Sequence, residues 1–176
     1  MQVWIKRSIV IIAIVFLAAQ LYRPSKMNPP VDPRDEIGAS VAIDPGVAMI
    51  FDRSCKDCHS NRTVWPWYSN IAPVSWLIVE DVKDGRRELN FSEWAVYSQE
   101  KSAKLLGEVC KETSKGEMPQ MPYSLLHPSA KLTDADVQAI CNWTKSIQKS
   151  MPAATAEISE RDEERDEERD EKREED

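Results

Sequence analysis

The run Cys55-Lys56-Asp57-Cys58-His59 constrains this chain more than any other stretch. C-x-x-C-H is the attachment signature of a c-type haem. Two thiols three residues apart each add across a vinyl group of one porphyrin, and the imidazole that follows lies under the iron as its proximal ligand. A chain carrying such a run folds around a flat apolar macrocycle. C-x-x-C also serves zinc sites and thioredoxin-like redox centres, but a zinc site wants a second ligand pair at matching spacing. The other cysteines, Cys110 and Cys141, stand singly and far apart, and the one other histidine is His127. The run is therefore read as the covalent site of one haem c through Cys55 and Cys58, with His59 on the iron. A structural metal or a disulfide is the competing reading.

The N-terminus bears on where such a chemistry would take place. Lys6 and Arg7 precede the apolar run Ile9 to Ala19, the pattern of an export signal. Leu17-Ala18-Ala19 lacks the small residue expected two places before the last residue of a cleaved signal, and Val3 to Tyr22 just reaches bilayer length if Lys6 and Arg7 snorkel. An uncleaved signal anchor, residues 1–22, is preferred over a cleaved signal. Arg23 and Lys26 blur the positive-inside signal, so orientation rests on haem attachment, which in bacteria takes place outside the cytoplasmic membrane. The expected location is the inner membrane with the domain facing the periplasm, or the periplasm itself if the signal is removed.

Four prolines, Pro24, Pro29, Pro30 and Pro33, fall within ten residues and read as a semi-rigid spacer over residues 23–40. The folded domain is expected over residues 41–150. Pro45 suits the first turn of a helix that runs through Val47, Met49, Ile50 and Phe51 into the haem motif. A second helix is predicted from Pro73 with Val74, Leu77, Ile78 and Val82 inward and Gly85 near its end. A third covers Gln99 to Lys115 with Leu105, Leu106, Val109 and Cys110 as its stripe, stopped by Gly116. The fourth starts at Thr133, with Asp136 as capping-box partner and Val137, Ile140, Cys141, Thr144 and Ile147 inward. No segment alternates with period two, so the fold class is all-α: a small cytochrome c-like helical domain around one covalent haem. Four short helices bury little by themselves, and the haem must supply much of the core.

The sixth ligand is sought in Gly116-Glu117-Met118-Pro119-Gln120-Met121-Pro122-Tyr123. A thioether opposite histidine raises the haem potential and closes the iron to exogenous ligands, which suits electron transfer. Pro119 fixes the chain beside Met118, so Met118 is the preferred distal ligand. Met121, His127 and an open site remain as alternatives, and the bland reading of any methionine is a core filler. Trp65, Trp67, Tyr68 and Trp76 are read as walls of the macrocycle rather than as a docking surface. Arg86 and Arg87 are read as solvated, with propionate pairing as the alternative.

Residues 55 to 77, Cys-Lys-Asp-Cys-His-Ser-Asn-Arg-Thr-Val-Trp-Pro-Trp-Tyr-Ser-Asn-Ile-Ala-Pro-Val-Ser-Trp-Leu, resemble the bacterial haem-binding domain of cytochrome c-like proteins. Asp81-Val82, Gly85-Arg86, Leu89-Asn90-Phe91-Ser92, Trp94, Gly116-Glu117-Met118-Pro119, Tyr123, His127-Pro128 and Leu132 continue the pattern over roughly residues 40 to 148. The resemblance implies a membrane-attached or periplasmic mono-haem protein, with Cys55 and Cys58 as attachment residues and His59 as axial ligand, and it points to Met118 through the Met-Pro position. The acidic C-terminal tail and the Cys110 and Cys141 pair depart from that pattern; the two cysteines lie on the apolar faces of the third and fourth helices, which the resemblance places around the same haem. In an oxidising compartment they would pair, the alternative being two buried thiols.

The acidic pI belongs to the tail. Residues 157–176 hold 13 acids and 5 bases, a net −8 against −7 for the whole chain, so the rest carries about +1. Residues 151–176 form a low-complexity extension with no apolar face, read as a solubilising segment or a dock for a basic redox partner. The function expected is an electron carrier, not an enzyme, whose partner is an unidentified redox protein. An open-iron enzyme or gas sensor of peroxidase-like type, and a haem-stabilised structural protein, are the alternatives. No nucleic-acid patch, phosphate loop or Ser-His-Asp set is present.

Overall fold

Pro45 opens a helix for the reason its sequence suggests: its fixed φ fits the first turn and its missing N–H costs nothing there. In the computed structural model, which describes residues 2–151, this helix is one of eight, and no strand occurs among the described residues. They are α1 (Gln2–Ala19), α2 (Ile37–Ser40), α3 (Pro45–Ser54), α4 (Lys56–His59), α5 (Val74–Glu88), α6 (Gln99–Lys115), α7 (Met121–Leu126) and α8 (Asp134–Ser150). Three 3-10 turns, Trp67–Asn70, Phe91–Val96 and Pro128–Ala130, link them. The all-α reading holds. The low-complexity acidic tail, from residue 152 onward, lies outside the described residues.

The long helices end where their chemistry dictates. Ser98 accepts from Lys101 N at the start of α6. Gly116, at φ 75°, takes the left-handed turn past its end, and Glu117 N and Gly116 N return to the carbonyls of Glu112 and Thr113, the bonding of a Schellman motif. At α8, Thr133 Oγ1 accepts from Asp136 N while Asp136 Oδ2 accepts from Thr133 N, the reciprocal capping box.

The α6 and α8 helices pack together, and α3 crosses α8. Phe51 of α3 stacks on Phe91 at 5.0 Å and meets Trp143 of α8 edge-on at 5.4 Å. Leu105, Leu106 and Ile140 complete the centre. Trp143, absent from the predicted inner face of α8, anchors this core and donates through Nε1 to Ala42 O at 2.9 Å.

Helix α5 buries only part of the face its apolar spacing predicts. Val82 is buried and Val74 and Ile78 are half-buried as expected, but Leu77 is exposed, and Ser75 and Val79 are buried in addition. The cause is its neighbours: α5 lies against α4 and the Trp67–Asn70 turn rather than against the α6–α8 pair. It also runs three residues beyond Gly85, to Glu88.

At the N-terminus, the expected transmembrane span is not found: among the described residues no helix is long and apolar enough to cross a membrane. Lys6 and Arg7 lie within α1, and the uninterrupted apolar stretch Ile9 to Ala19 rises only about 17 Å at about 1.5 Å per residue. A hydrocarbon core is about 30 Å thick.

The end of the segment expected as an anchor and the Pro-rich segment expected as a spacer are both laid along the domain. The Gln20 side-chain amide pairs with the backbone of Ala72 in both directions, at 3.0 and 3.2 Å. Tyr22 O accepts from Trp76 Nε1 at 3.0 Å, with the two rings edge-on, and Lys26 binds Ser69 and Asn70.

Candidate functional site

Cys55 closes α3, and Cys58 and His59 follow within the single turn of α4. Neither thiol is disulfide-bonded. Burial, then the mutual repulsion of two thiolates, pushes Cys55 up to about 12; burial, then the carboxylates of Asp81 and Asp57, pushes Cys58 up to about 12. Both are thiols at neutral pH.

His59 is held from one side. Its Nδ1 lies 3.0 Å from Gly85 O and 3.1 Å from Leu89 O. Carbonyls only accept, so Nδ1 carries the proton and Nε2 keeps its lone pair free. Burial lowers the imidazole pKa below its ordinary value, outweighing these two bonds, which favours the neutral ring. A neutral, oriented imidazole with Nδ1–H anchored on backbone is the form that ligates a metal.

Gly85 makes that anchoring possible. A Cβ there would stand 2.7 Å from Cys58 O and 3.1 Å from Cys58 C and Cβ. Only glycine lets α5 approach the backbone of the haem motif this closely.

The exit from the motif is fixed by a buried polar network. Asn61 N donates to Ser92 Oγ, Asn90 Nδ2 to Asn61 Oδ1, Ser92 N to Asn90 Oδ1, and Asn61 Nδ2 to Glu93 Oε1. Asn61, Asn90 and Ser92 are each at most 3% exposed. Arg86, read as solvated, binds Ser60 O, Thr63 Oγ1, Met27 O and Asn28 Oδ1 at 2.7–3.0 Å, joining the motif to the N-terminal segment. Arg87 instead pairs with Asp84 and Glu88 at the surface. Of the aromatic group, Tyr68 is buried, whereas Trp67 is exposed.

Met118 is half-buried. Its backbone N donates to Glu112 O at 3.3 Å, tying it to the end of α6, and it lines a cavity of about 830 Å³ with Pro119, Leu132, Val137, Gln138 and Cys141 among others. Met121 opens α7 and is exposed. His127 ends α7 with its ring stacked on Tyr123 at 4.2 Å; its Nδ1–H donates to Tyr123 O at 3.2 Å and its Nε2 accepts from Tyr68 OH at 3.4 Å. Cys110 and Cys141 are disulfide-bonded. This bond closes the segment that carries Met118, Met121 and His127.

Two contacts bring that segment to the haem motif. Tyr123 OH donates to Asp57 Oδ2 at 2.8 Å, and burial followed by this carboxylate raises the phenol above its ordinary pKa. Arg53, two residues before Cys55, donates to Ser129 O and Lys131 O and pairs with Asp136 at 2.7 Å. Gly85, Asn90 and Tyr123 were legible as parts of the resemblance, but their partners lie 26, 29 and 66 residues away, beyond any local spacing rule.

The donor set fits a covalently attached haem: two unpaired thiols and a neutral imidazole with a free Nε2, all on one turn. Among the described residues no group of three or more His, Cys, Asp and Glu side chains could hold a bare metal ion, so the closed ligand set of a structural zinc is not formed. No curated protein and no solved structure matches the chain. A family described as the haem-binding domain matches residues 14–146, a span that begins inside α1 and takes in the segment laid along the domain. With the motif, its anchored histidine and that match over most of its length, the chain belongs to the haem-binding domain family.

Proposed function

We propose that the protein is a mono-haem c-type cytochrome that carries electrons outside the cytoplasmic membrane. Cys55 and Cys58 would form the thioethers, His59 would be the proximal ligand and Met118 the distal one. The observation that carries the reading is the His59 ring, whose Nδ1–H is taken up by Gly85 O and Leu89 O so that Nε2 is presented as a ligand. When bound, a haem so ligated supplies a one-electron couple, with the thioether raising its potential. The chain's own part is to hold the two ligands on a rigid frame: α5 backs His59, and the Schellman turn and the disulfide brace Met118.

Location outside the cytoplasm is supported by the Cys110–Cys141 disulfide, since such bonds persist in oxidising compartments. Lys6 and Arg7 before the apolar half of α1 support export. The electron donor and acceptor would be proteins that dock on this domain.

The hydrogen-bonded cluster of Tyr68, Tyr123 and His127 favours a second reading, an open iron that activates peroxide or senses a gas. Near-infrared absorption of the ferric protein, matured with haem-attachment machinery, separates the two. The electron-carrier reading expects the charge-transfer band of a thioether on ferric iron, lost in Met118→Ala and kept in Met121→Ala and His127→Ala. A high-spin spectrum with rapid carbon monoxide binding in the ferrous state supports the second.

A further inference from the structure

The geometry points to Tyr123 as a positioning residue for the distal ligand, through a hydrogen bond from its hydroxyl to Asp57 inside the C-x-x-C-H run. The inference rests on the reading of Met118 as that ligand and extends it to a residue that does not touch the iron.

Met118 stands in the short connection between α6 and α7. On its α6 side the chain is tied down by Gly116, Glu117 and Met118 N–H groups returning to Glu112 and Thr113. On its α7 side the helix has six residues, and Met121, Leu125 and Leu126 are exposed. Little apolar burial therefore holds α7 in place, and polar contacts must set its position. Tyr123 supplies them. Its hydroxyl donates to Asp57 Oδ2 at 2.8 Å, and its ring stacks on His127 at 4.2 Å, which in turn takes a hydrogen bond from Tyr68.

Asp57 is itself immobilised. Its Oδ1 accepts from Val64 N at 2.9 Å, and its backbone carbonyl accepts from Thr63 Oγ1 at 2.7 Å. The carboxylate is thus a fixed point on the turn that also carries Cys55, Cys58 and His59. The bond from Tyr123 to that point, nearer to Met118 than the Arg53 contacts with Ser129, Lys131 and Asp136, registers the segment bearing Met118 against the segment bearing His59. Broken, it leaves the Met118 connection tied at the α6 end and held at the other only through His127 and the residues that follow it.

The test is imidazole binding to the ferric holoprotein, which competes with the distal ligand and so reads how often the connection swings away. Tyr123→Phe removes the hydroxyl and keeps the stacked ring. It is expected to raise imidazole affinity about three- to tenfold, the net worth of a typical intramolecular hydrogen bond, and to speed amide exchange across residues 117–127. The midpoint of global unfolding, measured alongside, reports any general loss of stability. If Tyr123→Phe leaves imidazole affinity and amide exchange at the wild-type values, whether or not the unfolding midpoint falls, the positioning role is overturned. If Met118→Ala neither raises imidazole affinity nor removes the near-infrared band, the Met118 reading itself is wrong and the inference falls with it. Met118→Ala altering both while Tyr123→Phe alters neither refutes the positioning role alone.

Discussion

His59 Nδ1 lies 3.0 Å from the carbonyl oxygen of Gly85, a residue so placed that an added Cβ would stand 2.7 Å from Cys58 O. One helix, α5, thus fixes both the depth at which the haem motif sits and the tautomer of its histidine. The two effects cannot be separated, because the glycine that permits the close approach also provides the acceptor.

Replacing Gly85 by alanine pushes a methyl group into Cys58 O, C and Cβ. Backbone cannot yield as a flexible side chain does, so α5 must withdraw and stretch the bonds to His59. The expected cost is about 1–3 kcal/mol, as for overpacking of a tight interface, read from denaturant midpoints. Gly46→Ala is the control: nothing lies within 4 Å of its Cβ position, and in α3 it should be neutral or stabilising by up to about 1 kcal/mol.

Asn90→Ala removes the donor to Asn61 Oδ1 and the acceptor for Ser92 N in one step. These groups are buried, so the partners are left unsatisfied, and a loss of about 2–4 kcal/mol is expected. Asn61→Ala should cost a similar amount, and the double variant should lose clearly less than the two combined, since both act through one network. Chemical denaturation of all four proteins checks the cycle.

Breaking the Cys110–Cys141 disulfide frees the segment that carries Met118, Met121 and His127. On the chain-entropy account a loop of this length is worth about 3–4 kcal/mol. Cys110→Ser with Cys141→Ser should lower stability by roughly that amount, and reductant should then have no further effect. Thioether attachment at Cys55 and Cys58 should be untouched, since neither is paired in this structure.

Asp136 gives a signed pH dependence. Backbone hydrogen bonding at Thr133, together with the Arg53 and Thr133 side chains, outweighs partial burial and holds its carboxyl below the ordinary value of 3.8. A depressed folded pKa means that stability is fully present above 3.8 and is lost as pH falls through the lower folded value. Denaturation followed below pH 4 should therefore show a slope that Asp136→Asn reduces. At neutral pH, Asp136→Ala should cost about 1 kcal/mol through the lost cap.

What the sequence made legible follows from how local each signal is. Pro45, Gly116 and the Thr133–Asp136 pair mark helix ends by chemistry confined to a few residues, and α3, α6 and α8 fall where those signals put them. The α5 face was read only in part, with Leu77 misplaced, because its buried side is defined by Ser75, Gly85 and Arg86 as much as by Val79 and Val82. No apolar period reports a face that packs on backbone and hydrogen-bonds to it. At the candidate site, the spacing of Cys55, Cys58 and His59 is a local signal that marks them for haem attachment and ligation as proposed. The carbonyls that orient His59 and the carboxylate that receives Tyr123 are tertiary partners, and only the fold brings them together.

Cys55 and Cys58 are proposed to carry one haem by thioether bonds, and the intact mass of the protein, matured in cells with haem-attachment machinery and measured under denaturing conditions, tests this. The expected mass is that of the polypeptide plus one haem, with the added mass lost when Cys55 and Cys58 are both replaced by alanine. The bare polypeptide mass in the unsubstituted protein would contradict the proposal.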